Sequence, residues 1–296
     1  MGVTSEAAQA RHIITYRPVR YTPVTRMVAS RRLAVVNMKG GVGKTTTAVS
    51  VASGFARAGR RVLLVDGDPQ GNVSHLLALT PTHTLRDVML GEVPVEDALL
   101  RDVRPGLDVL PSTPAAFALD AQLAGAMQRE TLLSRRLAPL DSYDVVVFDT
   151  SPAMNLLAYN ALLCATELVV PLSMDTLSLM GARQTLDGVR EIRTLWPDRR
   201  LELSAVIPTA VQSHTHATRG VLAALSADAE MGPVLVQPGV RQCIDLVYAA
   251  AAHQTIWEYA PRSRAADDYR AVLRHLDPDA FTHETSHAPA HQTTNL

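Results

Sequence analysis

Two lysines stand five positions apart in Lys39-Gly40-Gly41-Val42-Gly43-Lys44-Thr45-Thr46-Thr47, and every other one of the 28 basic residues is an arginine. Lysine is a compact point charge where arginine is a wide planar fork, so a tight phosphate cradle would require the former. Glycines at 40, 41 and 43 let a backbone curl and aim its N–H groups at phosphate oxygens. An apolar run at 33–37 leads into this loop and a helical pattern follows it, so a helix N-terminus adds its partial positive charge. In a P-loop of this kind Lys44 reaches the β- and γ-phosphates and the Thr45 hydroxyl ligates Mg²⁺, and the stretch from Lys39 to Thr46 forms the nucleotide-binding set. A Gly-rich turn with incidental lysines is the competing reading, and the strand before and helix after argue against it. Lys39 is the unusual member, because it crowds a second positive charge beside Lys44 unless phosphate lies between them.

Two further runs end in carboxylates. The first reads Val65-Asp66-Gly67-Asp68-Pro69-Gln70-Gly71-Asn72. Acids at the C-terminal end of a buried strand sit where α/β sheets bind ligands. Asp68 lies a helix and a strand beyond Lys44, where it can orient an attacking water or help hold Mg²⁺, whereas Asp66 can also be structural, capping the turn. The second run, Val145-Val146-Val147-Phe148-Asp149, has the Walker B form, and Asp149 would hold Mg²⁺ beside Thr45. An apolar run ending in Asp is weak evidence alone; it gains weight from the loop upstream.

The elements that must position these groups alternate along the chain. Strand-like runs fall at 33–37, 62–66, 107–110, 144–149, 167–172, 202–207 and 233–236, with helical patterns at 44–58, 115–138, 155–165, 176–195, 215–228 and 263–276. Several runs are continuously apolar, as expected of strands covered on both faces. The predicted fold is α/β: a mostly parallel twisted sheet with helices on both faces. Three zones are expected: a basic arm at 1–32, the nucleotide-binding domain at 33–276 and a polar, disordered tail at 277–296. A Pro-punctuated stretch near 80–115 should hold short elements and turns.

Composition excludes some alternatives. The 296 residues are 47% hydrophobic and 19% charged with a net charge of −1, which argues against a uniformly basic coat but leaves room for a local basic patch. Cys164 and Cys243 are the only cysteines, too few for a disulfide framework and unlike an iron–sulfur ligand set. No apolar run reaches the roughly 18–20 residues that span a bilayer. The expected location is cytoplasmic.

Taken together, KGGVGKTTT at 39–47, DPQGN at 68–72 and the apolar run closing on Asp149 resemble the ParA/Soj branch of the ParA/MinD superfamily, whose Walker A loop is of the deviant type. The segment PLSMDTLSLMG at 171–181 and the stretch 240–270 resemble later parts of the same pattern, so the likeness covers roughly 33–276. It implies a Mg²⁺-dependent ATP hydrolase in which Lys39, Gly41, Lys44, Thr45, Asp68 and Asp149 take the family's roles, with Lys39 reaching across a homodimer to the partner's nucleotide. It further implies nonspecific binding of double-stranded DNA on the nucleoid, and a ParB-like protein that stimulates hydrolysis and so releases the DNA. The sequence departs from the family at Met38, at Ser151 and at 208–212, where an acid often found after this strand is missing, which leaves the adenine contacts open; 243–252 is Ala-rich where the family has a different run.

From 33 onward the chain has more acids than bases, so DNA contact needs a local arginine cluster. Arg219, Arg241, Arg262 and Arg264 are the candidates, each with an ordinary solvated arginine as its alternative. The arm at 1–32 carries six Arg against Glu6, with Tyr16 and Tyr21 between them, and can add phosphate contacts; Met27 is an alternative start, which would make 1–26 no part of the protein. The rivals are a MinD-like membrane ATPase, for which the tail lacks an amphipathic helix, and a positioning ATPase for a non-DNA cargo. His283, His287 and His291 read as incidental.

Overall fold

The computed structural model describes residues 30–212 and 214–281. Seven strands form one sheet: β1 Arg31–Val35, β2 Val62–Gly67, β3 Leu100–Arg104, β4 Leu107–Leu110, β5 Val145–Thr150, β6 Glu167–Ser173 and β7 Glu202–Thr209, in the order β3-β4-β2-β5-β1-β6-β7. All pairings are parallel except β3 with β4, the antiparallel edge. The helices of eight residues or more among the described residues are α1 Lys44–Arg57, α2 Leu156–Cys164, α3 Thr176–Leu195, α4 His216–Ala227, α5 Ile244–Ala251 and α6 Arg264–Leu276.

Successive strand residues point to opposite faces, and here both faces are apolar. Ala34, Leu63, Val65, Val146, Phe148 and Val170 pack one way, against α2, α3 and the short helix Leu85–Leu90. Leu33, Val35, Val62, Leu64, Val145 and Val147 pack the other way, against Ala48 and Phe55 of α1 and Tyr269 and Leu273 of α6. Every residue of β2 and β5 is buried, which is why these two runs are continuously apolar up to their terminal carboxylates.

The structure departs from the sequence reading in four places. The run at 233–236 is no strand: Pro233 lies in a tight turn, Gly232–Val234, and only Leu235 bridges to Val206 of β7, since Pro233 and Pro238 cannot donate to a ladder. The helix expected at 115–138 is broken into short turns, with Gln128 at φ 53 between them. The Asn160 side chain of α2 holds the broken segment, accepting from Leu133 N at 2.8 Å and donating to Arg129 O at 2.9 Å. β3 carries three charged residues among its five, as an exposed edge strand can, and α5 hides in what reads as a small-residue segment.

The limits of the domain also shift. Arg31 and Arg32, counted with the basic arm, belong to β1, and Arg31 Nε donates to Glu167 at 2.9 Å. At the other end, Phe281 is buried and its ring packs tilted against Phe55, with ring centroids 5.6 Å apart. Residues 1–29 and the rest of the tail, with its three histidines, lie outside the described residues.

Candidate active site

β1 delivers the chain into the loop, and Gly41 (φ 76) and Gly43 (φ 85) adopt the left-handed backbone that turns it into α1. A Cβ would find room at both positions, so it is φ rather than space that calls for glycine. Gly43 is the N-cap of α1, no side chain caps that helix, and its first turn holds no acid. The N–H groups and positive end of α1 therefore face the cleft uncompensated by protein, the arrangement that accepts an anion.

Sheet register gathers the carboxylates. Asp66 of β2 lies opposite Asp149 of β5, which in turn lies opposite Val35 at the end of β1. Asp66 and Asp149 are fully buried and Asp68 is 6% exposed. Asp66 accepts from Asp68 N at 3.1 Å, and Asp68 accepts from Gln70 N at 2.9 Å, so each shapes the turn after β2. The second oxygen of Asp66 and both oxygens of Asp149 have no hydrogen-bond partner, although the Thr45 hydroxyl stands close enough to favour the charged form of Asp149. Burial drives the Asp149 carboxyl well above the usual carboxylate range, with the charge of Asp68 adding and Lys44 opposing. Burial likewise raises Asp66, and Asp149 raises it further. Lys44 is 7% exposed, and its Nζ donates to Lys39 O at 2.8 Å. Desolvation lowers its pKa, while Asp149 and Asp68 favour its charge.

Two cavities meet along the loop. One, of about 740 Å³, is lined by Gly40, Lys44, Thr45, Asp68, Gln70 and Asn155 among others. The other, of about 470 Å³, lies toward Thr209, Ala210, Val240, Gln242 and Leu246. Gly41, Gly43, Thr46 and Ala250 line both, and Val42 is buried beneath.

Lys39 points elsewhere. Its Nζ donates to Asp175 at 2.7 Å and to Ser178 at 2.9 Å. Neither partner was singled out in the sequence, although Asp175 followed by Ser178 before an apolar pattern is a recognisable helix N-cap. Of the four candidate DNA-facing arginines, Arg219 is exposed on α4, near His216. Arg262 and Arg264 are exposed at the start of α6. Arg241 binds Asp268, one turn into the same helix, through its guanidinium at 2.7 Å and its backbone N–H at 2.9 Å. Three of the four thus converge on the start of α6, but the charge of Arg241 is already matched.

Comparison with known proteins accords with this geometry. The profile of a family described as an AAA domain matches residues 30–202. The chromosome-partitioning ATPase Soj of Thermus thermophilus is 36% identical over 247 residues, 83% of this chain and 95% of that protein. This chain belongs to the ParA/Soj family of partitioning ATPases. The chromosome partitioning protein ParA of Caulobacter vibrioides is 39% identical over 186 residues, 60% of this chain and 69% of that one. Among solved structures, a cobyrinic acid a,c-diamide synthase from Mycobacterium smegmatis with bound ADP and magnesium is 33% identical, with a TM-score of 0.71 over 83% of this chain and 95% of that chain. The ParA/Soj fold, a mostly parallel sheet with the P-loop at its centre, is the one found here. Among the described residues no helix is long and apolar enough to cross a membrane.

Proposed function

We propose that this ParA/Soj-family chain binds and hydrolyses ATP, pairs with a second copy around the nucleotide, and in that form binds DNA on the nucleoid without sequence preference until a ParB-like partner stimulates hydrolysis. The observation that carries this reading is that Lys44, Thr45 and Asp68 line one cleft at the C-terminal ends of the strands, with Asp149 buried beside them at the end of β5. The triphosphate lies along the loop, with Lys44 and the first N–H groups of α1 receiving its oxygens. The second cavity suits the nucleobase, since Val240 and Leu246 offer apolar walls and Gln242 an amide.

Mg²⁺ fits the residues present. Asp149 has two buried oxygens without partners, Asp68 and the Thr45 hydroxyl are close by, and an all-oxygen set suits this ion. Among the described residues no group of three or more His, Cys, Asp or Glu is placed to hold a metal by itself, which favours an ion carried in with the phosphates. When bound, the ion neutralises charge on the transferred phosphoryl group. Thr45 and Asp149 would hold the ion, and Asp68 would orient the attacking water.

For DNA, Arg219, Arg262 and Arg264 carry the proposal, with Arg241 in a supporting place through Asp268. The test is DNA co-sedimentation with ATP, ADP and no nucleotide. Binding that requires ATP is expected; equal binding in all three, or none, would remove DNA from the function.

A further inference from the structure

Gln242 lines the second cavity, and the backbone sets Gln212 beside it. Val240 N donates to Pro208 O at 2.7 Å, Val211 N to Val240 O at 3.1 Å and Gln242 N to Val211 O at 3.1 Å, so residues 240–242 form a short parallel ladder along the end of β7. Arg241, within that ladder, is clamped to Asp268 of α6. The carbonyl of Gln212 accepts from Thr215 N at 3.0 Å, and Thr215 caps α4. Both glutamine backbones are thus fixed from outside the cavity. Their side chains are held only by each other: both residues are exposed, and Nε2 of Gln212 donates to Oε1 of Gln242. Among the described residues neither amide has another partner.

An amide carries donors at one end and an acceptor at the other. With its oxygen held by Gln212, Gln242 is left with its NH₂ to offer the cavity, and it donates. A half-turn of both side chains keeps the pair equally well bonded. Gln212 then offers its oxygen to the NH₂ of Gln242, and Gln242 is left with its own oxygen to offer, and it accepts. The two purines differ in this respect. The outer edge of adenine donates from N6 and accepts at N7, whereas that of guanine accepts at both O6 and N7. On the Watson–Crick side adenine accepts at N1 and guanine donates from it. A carboxylate behind Gln242 could only accept, and would fix it with its oxygen to the base. An ammonium could only donate, and would fix the reverse. A second amide follows Gln242 either way round.

We propose that Gln212 and Gln242 read the nucleobase as a reversible pair, so that the site takes guanine nucleotides as well as adenine nucleotides. This rests on the placement of the base in the second cavity given above. Isothermal titration of the full chain with Mg²⁺ and non-hydrolysable analogues of ATP and of GTP gives the ratio of the two dissociation constants. In the wild type they should lie within about fivefold of each other, no more than one neutral hydrogen bond. Gln212→Glu should move the ratio toward the ATP analogue by about tenfold, because the carboxylate locks the Gln242 oxygen onto N6. Gln212→Lys should move it by about as much the other way, because the ammonium locks the NH₂ of Gln242 toward O6. Taking a ratio cancels what the added charge does to the triphosphate itself. Gln242→Ala should weaken both analogues by about three- to tenfold and leave the ratio near its wild-type value. Both positions are exposed, so these substitutions leave the fold intact. A wild-type preference for the ATP analogue above about a hundredfold overturns the proposal, as do shifts of the same sign in Gln212→Glu and Gln212→Lys. In either case the ATP site itself stands. Unchanged affinities in Gln242→Ala place the base elsewhere and overturn the reader together with that placement. A wild type that binds neither analogue overturns the nucleotide reading itself, a separate outcome.

Discussion

Asp268 and Asp149 are buried to nearly the same degree, at 4% and 0% exposed, yet their surroundings are opposite. Asp268, on α6, receives the backbone N–H of Arg241 and both Nε and Nη2 of its guanidinium. Asp149, at the end of β5, has no hydrogen bond to either oxygen. A buried carboxylate without partners costs stability, and a fold normally supplies them. At α6 the acid and base fasten the chain after β7 to the helix. At β5 the acid is left facing Asp66, with Lys44 as its counter-charge. Satisfied groups mark where the molecule holds itself together, and unsatisfied ones mark where it is built to hold something else.

The largest effects should appear on the unsatisfied side, and in function rather than folding. Asp68→Ala should lower ATP hydrolysis by about 10²- to 10⁴-fold, the usual worth of a positioned acid–base group, while filter binding shows ATP still retained. Lys44→Ala should weaken ATP binding by about 10- to 100-fold, the loss of a charged hydrogen bond, measured by isothermal titration. Normal turnover in the first variant or undiminished affinity in the second would mean that the cleft is not the nucleotide site.

Stability should reverse the ranking. Arg241→Ala strands the Asp268 charge and should cost about 2–3 kcal/mol in denaturant unfolding, at or just below the range for breaking a fully buried pair, since the Arg241 side chain is 37% exposed. Asp149→Asn should be neutral or stabilising by about 1 kcal/mol. The pH dependence separates them further. A carboxyl raised in the folded state stabilises the fold fully only below its unfolded value, and that contribution is lost as pH climbs through the folded one. In nucleotide-free, Mg²⁺-free buffer the wild type should therefore lose stability relative to Asp149→Asn as pH rises from 3.8 to about 7. A parallel pair of curves would show that Asp149 is compensated after all.

Legibility in the sequence follows the same division. The loop, β2 and β5 read correctly because their demands are local: glycines for φ at 41 and 43, and unbroken apolar runs for strands buried on both faces. What escaped depends on residues distant in the chain. Nothing near Arg241 announces Asp268, and nothing near Lys39 announces Asp175, 136 positions away. The broken region at 115–138 escaped for a related reason, since Asn160 of α2, rather than its own periodicity, holds it. α5 escaped because Ile244, Val247 and Tyr248 are its most exposed large residues, so its pattern does not record a buried stripe.

The smallest effect concerns DNA, where the contrast between matched and unmatched charge applies to arginines. Arg241 carries a charge neutralised by Asp268, whereas Arg262 and Arg264 lie exposed beside the same helix start. Substituting Arg241 to test DNA contact would confound lost contact with lost stability, so the clean variant is Arg262→Gln with Arg264→Gln. If both touch phosphates, removing them should weaken ATP-dependent DNA binding severalfold and reduce the slope of log affinity against log salt by about two, near 0.9 per contact. Fluorescence anisotropy on an arbitrary duplex across a salt series reads both quantities, and the ATPase rate without DNA should not move. A lower affinity with an unchanged slope would mean that the two arginines act through the shape of the α6 start rather than through phosphates. Unchanged affinity and slope would leave Arg219, on α4, as the remaining exposed candidate and move the DNA-facing surface away from α6.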